Sequence, residues 1–398
     1  MEAVVVKLSR IVKDYCQSGA VNTFVNIHSF ISDSLLLTKS GDLVIVLKVE
    51  PLDYECLDPD QLASVAQRFA ASVHSFDRRF RLYQHTIKRE CDANLFVIDS
   101  YFVVLYEVSS HNQVLGDPLA AITSLFSTNK TIELAEEAIH RGAQVLVNKV
   151  NGFIVQLRDA LHLTVATKDE AFTFYRRLLN FNQEKADLVT LQHDRFIDFF
   201  VCDSAIECHR DHLRVDEYYV KILTLKDPPS KTYPNMLRAL QEVASQYVIV
   251  TEFVPVDNHE MRKLIKKKQR HAHNSKTSLL SHLNTQDGAA AQSDVLVDAS
   301  STAWVGELGD CLTAMEMNGS SFGQFTLTVI LYDLDRNRLA KSAAEAFKCL
   351  AGKDATLHEE RYNLLNAFMA ALPGNSRYNL RSLCFGACEE LPTSARQK

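Results

Sequence analysis

Two β-rich runs, Ser34-Leu35-Leu36-Leu37-Thr38 and Leu43-Val44-Ile45-Val46-Leu47-Lys48-Val49, flank the polar tetrad Lys39-Ser40-Gly41-Asp42. Apolar runs on either side of a short polar, glycine-containing segment predict a hairpin, with Gly41 taking the positive φ that such a turn needs. Asp58-Pro59 reads as an N-cap followed by proline at the first helical position. Behind it Leu62, Val65, Ala66, Phe69, Val73 and Phe76 recur at helical spacing and give one apolar face. Two further strands are predicted near Arg79–Lys88 and Tyr101–Val108. In the first, Phe80, Leu82, Gln84, Thr86 and Lys88 alternate with Arg79, Arg81, Tyr83, His85 and Ile87. Neither face is purely apolar, which fits a strand with partners or at an edge. The order strand, strand, helix, strand, strand predicts an α+β sandwich with its helix on one sheet face.

From Thr131 to about Leu161 the pattern turns helical, with Gly142 and Gly152 as candidate interruptions. A second helix, near Asp169–Phe181, carries Phe172, Tyr175, Leu178 and Leu179. A second α+β unit begins near Asp194. It contains the strand Tyr218–Leu225, broken by Asp227-Pro228-Pro229, because proline removes ladder donors and fixes φ. A helix (Tyr233–Ala244), a strand (Tyr247–Val254) and a long basic helix (Asp257–His282) follow. Thr285–Gln292 reads as a polar loop. A helix (Val297–Met317), a strand (Phe325–Tyr332) and two helices (Asn337–Leu350 and Glu359–Ala371) complete the unit. The fold class is therefore α+β, with two sandwich-like units joined by a helical segment. The expected boundaries are 1–125 for the N-terminal α+β domain, 126–193 for the helical connector, 194–381 for the central α+β domain and 382–398 for a divergent tail.

Composition narrows this only in part. The 398 residues carry 43 basic and 49 acidic side chains, and the net charge of −6 argues against a chain-wide polyanion-binding surface. The nine cysteines show no metal or disulfide-framework spacing, and Cys56, Cys311 and Cys349 lie in apolar stretches where a thiol packs as a small hydrophobe. The apolar run before Lys7 is too short for a secretory signal. No apolar stretch reaches the ~18 residues needed to span a bilayer. A cytoplasmic protein that meets the membrane only through a partner is expected.

Nothing fits the phosphate-cradling Gly-x-x-x-x-Gly-Lys-Ser/Thr motif: Gly352-Lys353 is followed by Asp354, and Phe347 stands where the first glycine belongs. Val329-Ile330-Leu331-Tyr332-Asp333 resembles the apolar strand and aspartate that hold Mg²⁺ in such motors, but any buried strand ending in a turn looks the same. Cys202, Cys208, His209 and His212 could supply zinc ligands, although their spacing matches no common knuckle and the acidic and basic residues between them suit a solvated loop. His358-Glu359-Glu360-Arg361-Tyr362 starts like a metalloprotease helix but has Tyr362 where the second histidine belongs. The plainer reading is an exposed helix start whose acids complement the dipole.

The most conspicuous charge feature runs from Arg262 to Lys276. It contains Arg262, Lys263, Lys266, Lys267, Lys268 and Arg270, with Met261, Leu264 and Ile265 left to face a core. Such a helix either contacts phosphates or an acidic partner, or lies solvated against acidic neighbours. Given the net charge, an acidic protein is favoured over nucleic acid.

Four segments together resemble the CagE/TrbE/VirB family of type IV secretion and conjugal-transfer ATPases. They are Leu37–Glu50 with Leu52-Asp53-Tyr54-Glu55; Phe76–His85; Arg270-His271-Ala272-His273-Asn274 with Ser278-Leu279; and Asn366–Asn375, containing Leu372-Pro373-Gly374-Asn375, with Arg377-Tyr378-Asn379-Leu380-Arg381. Pro373 and Gly374 would stop the preceding helix and permit a sharp exit, as at a domain boundary. The family continues beyond this point into a RecA-like motor that binds ATP and Mg²⁺, whereas the similarity here fades after Arg381. The resemblance implies a docking module of the transfer apparatus, without catalytic, cofactor or metal residues of its own. Its partners would be channel subunits at the inner membrane, which it would meet from the cytoplasmic side. The alternatives are half of a split ATPase whose motor is supplied in trans, and a metal-dependent enzyme centred on Cys202–His212.

Overall fold

The computed structural model of the protein describes residues 20–50, 58–92, 95–108, 128–229, 236–275, 322–352, 355–381 and 383–385, with isolated positions between 306 and 313. Strands β1 (Ile27–Phe30), β2 (Leu35–Thr38) and β3 (Leu43–Glu50) open the fold as an antiparallel meander. Gly41 takes φ 87° in the predicted β2–β3 turn. Helix α1 (Pro59–Val73) starts as expected: the Asp58 carboxylate accepts from Gln61 N–H, and the Gln61 side chain accepts from Asp58 N–H. Strands β4 (Phe80–Asp92) and β5 (Leu95–Tyr106) follow as a long hairpin.

Helix α2 (Thr128–Leu157) runs without a break. Gly142 does not interrupt it. A Cβ there would lie 3.1 Å from Val108, 3.2 Å from Leu43 and 3.3 Å from Tyr106, so the missing side chain is what lets the helix approach the sheet. The chain continues through β6 (His162–Val165), α3 (Lys168–Leu179), α4 (Gln183–Asp187), β7 (Ile206–Cys208), β8 (Leu213–Val215) and β9 (Tyr218–Asp227). After β9 come α5 (Arg238–Gln241), β10 (Gln246–Val256), α6 (Asn258–Ser275), β11 (Phe322–Asp333), α7 (Arg336–Ala351), β12 (Thr356–Glu359), α8 (Leu364–Ala370) and β13 (Leu383–Phe385).

Two expected helices are shorter than the sequence pattern suggested. Of Tyr233–Ala244 only α5 is helical among the described residues. The Gln241 and Val243 carbonyls instead accept from the buried Lys88 ammonium, at 3.1 and 2.6 Å. Of Glu359–Ala371 only α8 is helical, because residues 356–359 pair with β9, placing His358 opposite Thr224. The dipole-complementing helix start at His358-Glu359 is therefore a strand end. The expected loop Thr285–Gln292, the end of the basic helix after Ser275, most of Val297–Met317 and the tail beyond residue 385 lie outside the described residues.

The α+β class stands. What local patterning could not reveal is that strands of both units join one sheet of 13 strands, in the order β1-β2-β3-β5-β4-β10-β11-β9-β8-β7, with β6, β12 and β13 pairing off this path. The seam is the antiparallel pairing of β4 with β10, from Lys88↔Tyr247 to Leu82↔Phe253. Alternation along the strands sends Val44, Val103, Val248, Val250 and Ile330 to one face, where α3 and α8 cover a core continuous across the seam. The opposite face carries two cores. One lies under α1 and α2 and includes Phe69, stacked on Phe102 at 5.5 Å. The other lies under α7, around Leu339 and Ala346. Burying one such aromatic or branched side chain contributes about 2 kcal/mol.

The Leu-Pro-Gly-Asn turn is buried against the N-terminal unit rather than exposed. Gly374, at φ 92°, packs on Thr38, and its carbonyl accepts from Asn26 Nδ2 at 2.8 Å. Asn375 has no exposed surface. Its Oδ1 accepts from Asn26 N–H at 3.0 Å and its Nδ2 donates to the Phe24 carbonyl at 2.9 Å.

Candidate partner-docking site on the basic helix

Strand β10 delivers the chain to Asp257, whose carboxylate accepts from His259 N–H at 2.7 Å and whose carbonyl receives Met261 N–H at 2.9 Å. This cap starts α6. Met261 and Ile265 are buried and pack with Phe322, Val256, Leu308 and Leu312, so one narrow stripe holds the helix down. Leu264, expected to join them, has a side chain outside the described set.

The rest of the surface is cationic. Lys263, Lys266, Lys267, Lys268 and Arg270 are exposed, while Arg262 is half-buried with its Nε enclosed and without an acceptor among the described residues. None of these six cations forms an ion pair among the described residues. The nearby pair, Arg78 with Glu260 at 3.5 Å, uses the helix's own glutamate and a cation from outside it. Arg262 and Lys266, Lys263 and Lys267, and Lys266 and Arg270 stand at i, i+4, where like charges each cost about 0.2–0.5 kcal/mol. Among the described residues no carboxylate forms an ion pair with these six cations.

The other candidates are occupied by structural work. Asp333 ends β11 buried, and accepts from Ser245 Oγ at 2.8 Å, Arg338 Nε at 2.6 Å and Asp335 N–H at 2.9 Å. Burial opposes its ionisation, but Arg338 and these donors outweigh burial and hold the carboxyl below its ordinary range. Cys202 packs against the core, and burial pushes its thiol up to about 11, which disfavours the thiolate a metal needs. Cys208 lies on β7. The His209 and His212 rings stack at 4.6 Å, with His212 Nδ1 2.9 Å from Asp211. Among the described residues no group of three or more His, Cys, Asp or Glu is placed to hold a metal ion. Glu359 pairs with Lys221 at 2.6 Å, and buried Glu360 accepts from Thr224 Oγ1 at 2.6 Å and Arg381 Nε at 2.8 Å. Gly352 caps α7, and Lys353 and Asp354 lie outside the described residues.

Fold and site define an antiparallel-sheet protein, covered by helices on both faces, that displays a cationic helix whose six named cations form no ion pair among the described residues. Residues 160–301 and 292–381 match the CagE, TrbE, VirB family, a component of the type IV transporter system. Residues 34–107 match the N-terminal domain of the type IV secretion system ATPase VirB4/TrbE. The first match covers more than half of the chain, and the protein belongs to the CagE, TrbE, VirB family.

Its relatives include the conjugal transfer protein TrbE of Rhizobium radiobacter, 20% identical over 64% of this chain and 30% of the relative. The type IV secretion system protein virB4 of Bartonella quintana is 21% identical over 88% of this chain and 46% of its own length. A third, the protein virB4 of Rhizobium radiobacter, is 27% identical over 42% of this chain and 18% of its own length. The chain spans less than half the length of each of these relatives.

Proposed function

We propose that the chain is a docking part of a type IV secretion or conjugal-transfer apparatus, and that α6 is the surface through which it holds an acidic protein partner. The observation that carries this reading is the run of Arg262, Lys263, Lys266, Lys267, Lys268 and Arg270 without an ion-pair partner among the described residues. Among the described residues the helix is held by a narrow apolar stripe, Met261 and Ile265, and its exposed cations lie off that stripe. The partner class is channel subunits at the inner membrane, approached from the cytoplasmic side. No helix among the described residues is long and apolar enough to cross a membrane, which agrees with attachment through a partner. Nucleic acid is the less favoured occupant, because the chain as a whole is acidic.

Nucleotide chemistry belongs, on this reading, to a motor outside these residues. The sequence has no P-loop, and the Asp333 oxygens are taken by the chain's own donors. Titration of the purified chain with a fluorescent ATP analogue, with and without Mg²⁺, is expected to show no saturable binding. Saturable, Mg²⁺-dependent binding would overturn this account of the nucleotide chemistry, with Asp333 and Gly352-Lys353 the first residues to mutate. A motor supplied in trans is the second reading. It is motivated by the match of residues 34–107 to the N-terminal domain of an ATPase. It predicts that a separately encoded P-loop domain copurifies stoichiometrically with the chain.

A further inference from the structure

Between α4 and β7 the chain reads His193-Asp194-Arg195-Phe196-Ile197-Asp198-Phe199-Phe200, and three phenylalanines of this stretch are left in solvent. Phe196 is 56% exposed, Phe199 62% and Phe200 38%, although Ile197 and Asp198 between them are buried. With His193, Asp194 and Arg195 they line an open cleft of about 770 Å³. Exposed aromatics are common singly, whereas three lining one cleft make a candidate binding patch.

The turn is held rigidly from beneath. Arg176, with no exposed surface, donates to the Phe200 carbonyl and pairs with Asp203, and its Nε donates to the Lys185 carbonyl at 3.0 Å. Asn180 Nδ2 donates to the Val201 carbonyl at 2.8 Å. Buried Asp198 accepts from Lys39 Nζ at 2.7 Å. Phe30 N–H donates to the Asp194 carbonyl at 2.7 Å, which fixes the other end. Within this frame Phe196 adopts φ 55°, a left-handed conformation that a bulky L-residue rarely takes. Strain of this kind persists where surrounding structure imposes it, and here its consequence is an outward aromatic ring, edge-on to His28 at 5.2 Å.

Charge selects the occupant. Asp194 is engaged by Lys168 at 3.1 Å, whereas exposed Arg195 has no carboxylate partner among the described residues. The cleft therefore offers apolar rings beside a guanidinium that has no carboxylate partner among the described residues, a group suited to bidentate carboxylate recognition. A membrane surface fits less well, since Arg195 is the one Arg or Lys among the described residues lining the cleft, where interfacial binding calls for several.

We propose that this cleft docks an extended peptide segment of another protein, carrying an aromatic or aliphatic side chain adjacent to a carboxylate. The site is separate from α6, and its success or failure leaves the reading of the basic helix untouched. Preorganisation of the rings lowers the ordering cost of binding, and aromatic anchors in a pocket commonly dominate such interfaces.

The test pans a random dodecamer peptide library on the immobilised full chain, with the Phe199→Ala chain as the counter-selection. Phe199 is exposed, so the variant should keep the melting temperature of the parent. The expected result is enrichment of peptides pairing an apolar anchor with Asp or Glu. Anisotropy of the best peptide should then show at least about a tenfold loss of affinity in Phe199→Ala. A smaller loss is expected in Arg195→Gln, and it should vanish when the peptide's carboxylate is replaced by its amide. The proposal is overturned if no such pattern enriches, or if the enriched peptides bind both chains equally. It is also overturned if the Phe199-dependent ligand proves to be phosphatidylcholine–phosphatidylglycerol vesicles in cosedimentation while no peptide is selected.

Discussion

Asn375 satisfies two backbone groups of the N-terminal segment at once, Asn26 N–H and the Phe24 carbonyl, from a position with no exposed surface. Replacing it by leucine leaves a donor and an acceptor buried and unpaired, and each costs about 1–3 kcal/mol. Asn375→Leu is therefore expected to lower the urea midpoint of the full chain markedly, whereas an exposed neighbour such as Arg377→Gln should leave it nearly unchanged. His85 makes a pH-dependent prediction. It is fully buried on β4, and burial pushes its pKa down to about 4, only partly opposed by the Ala371 carbonyl at 2.9 Å. A depressed histidine contributes stability in full above its unfolded value of about 6.5, and this stability is lost as pH falls toward 4. Denaturation midpoints should fall across that window in the parent and stay flatter in His85→Gln, and parallel curves would contradict the assignment. At this scale the sequence was legible where signals are local, as in Gly41 and in the Asp58 cap with Gln61. It was silent on Asn375, whose partners lie 349 and 351 residues away and leave no trace in neighbouring residues.

Elements followed the same division. Apolar spacing placed the α1 face well, because a helix that buries one face must repeat every three to four residues, and the extent of α7 was read to within a residue at each end. It failed at residues 356–360, where a short edge strand pairing with β9 has too few residues to show alternation, and the acids of His358-Glu359-Glu360 mimicked a helix start. Gly142 was misread as an interruption because its reason, close approach to Val108, Leu43 and Tyr106, belongs to packing and not to propensity. For α6 the pattern was legible twice over, in its buried Met261 and Ile265 and in its cations. What only the fold could add is that no described carboxylate answers the cations. The triple reversal Lys266→Glu, Lys267→Glu, Lys268→Glu breaks no ion pair among the described residues and relieves like-charge contacts, so the melting temperature should stay equal or rise slightly. A clear fall would mean that the helix already lies against acidic groups of this chain.

For the whole molecule, the two units read from the sequence share one sheet and, on one face, one core. The composition of β4 hinted at this, since it places apolar side chains on both faces, Tyr83 and Ile87 on one side and Phe80 and Leu82 on the other. The polar Gln84, Thr86 and Lys88 between them concealed its central place. A shared core makes the halves cooperative: calorimetry of the full chain should show one transition with matching calorimetric and van't Hoff enthalpies. Two separated transitions would show that the β4–β10 seam is weak. A rigid platform of this kind is suited to presenting fixed surfaces to an assembly. The most direct test of the docking account is to measure binding of the full chain to the detergent-solubilised inner-membrane complex of its own transfer apparatus, in parallel with the triple charge reversal. The account predicts saturable, salt-sensitive binding by the parent and at least about a tenfold loss in the reversed, equally stable chain. Equal binding by both chains, or none by the parent, would contradict it.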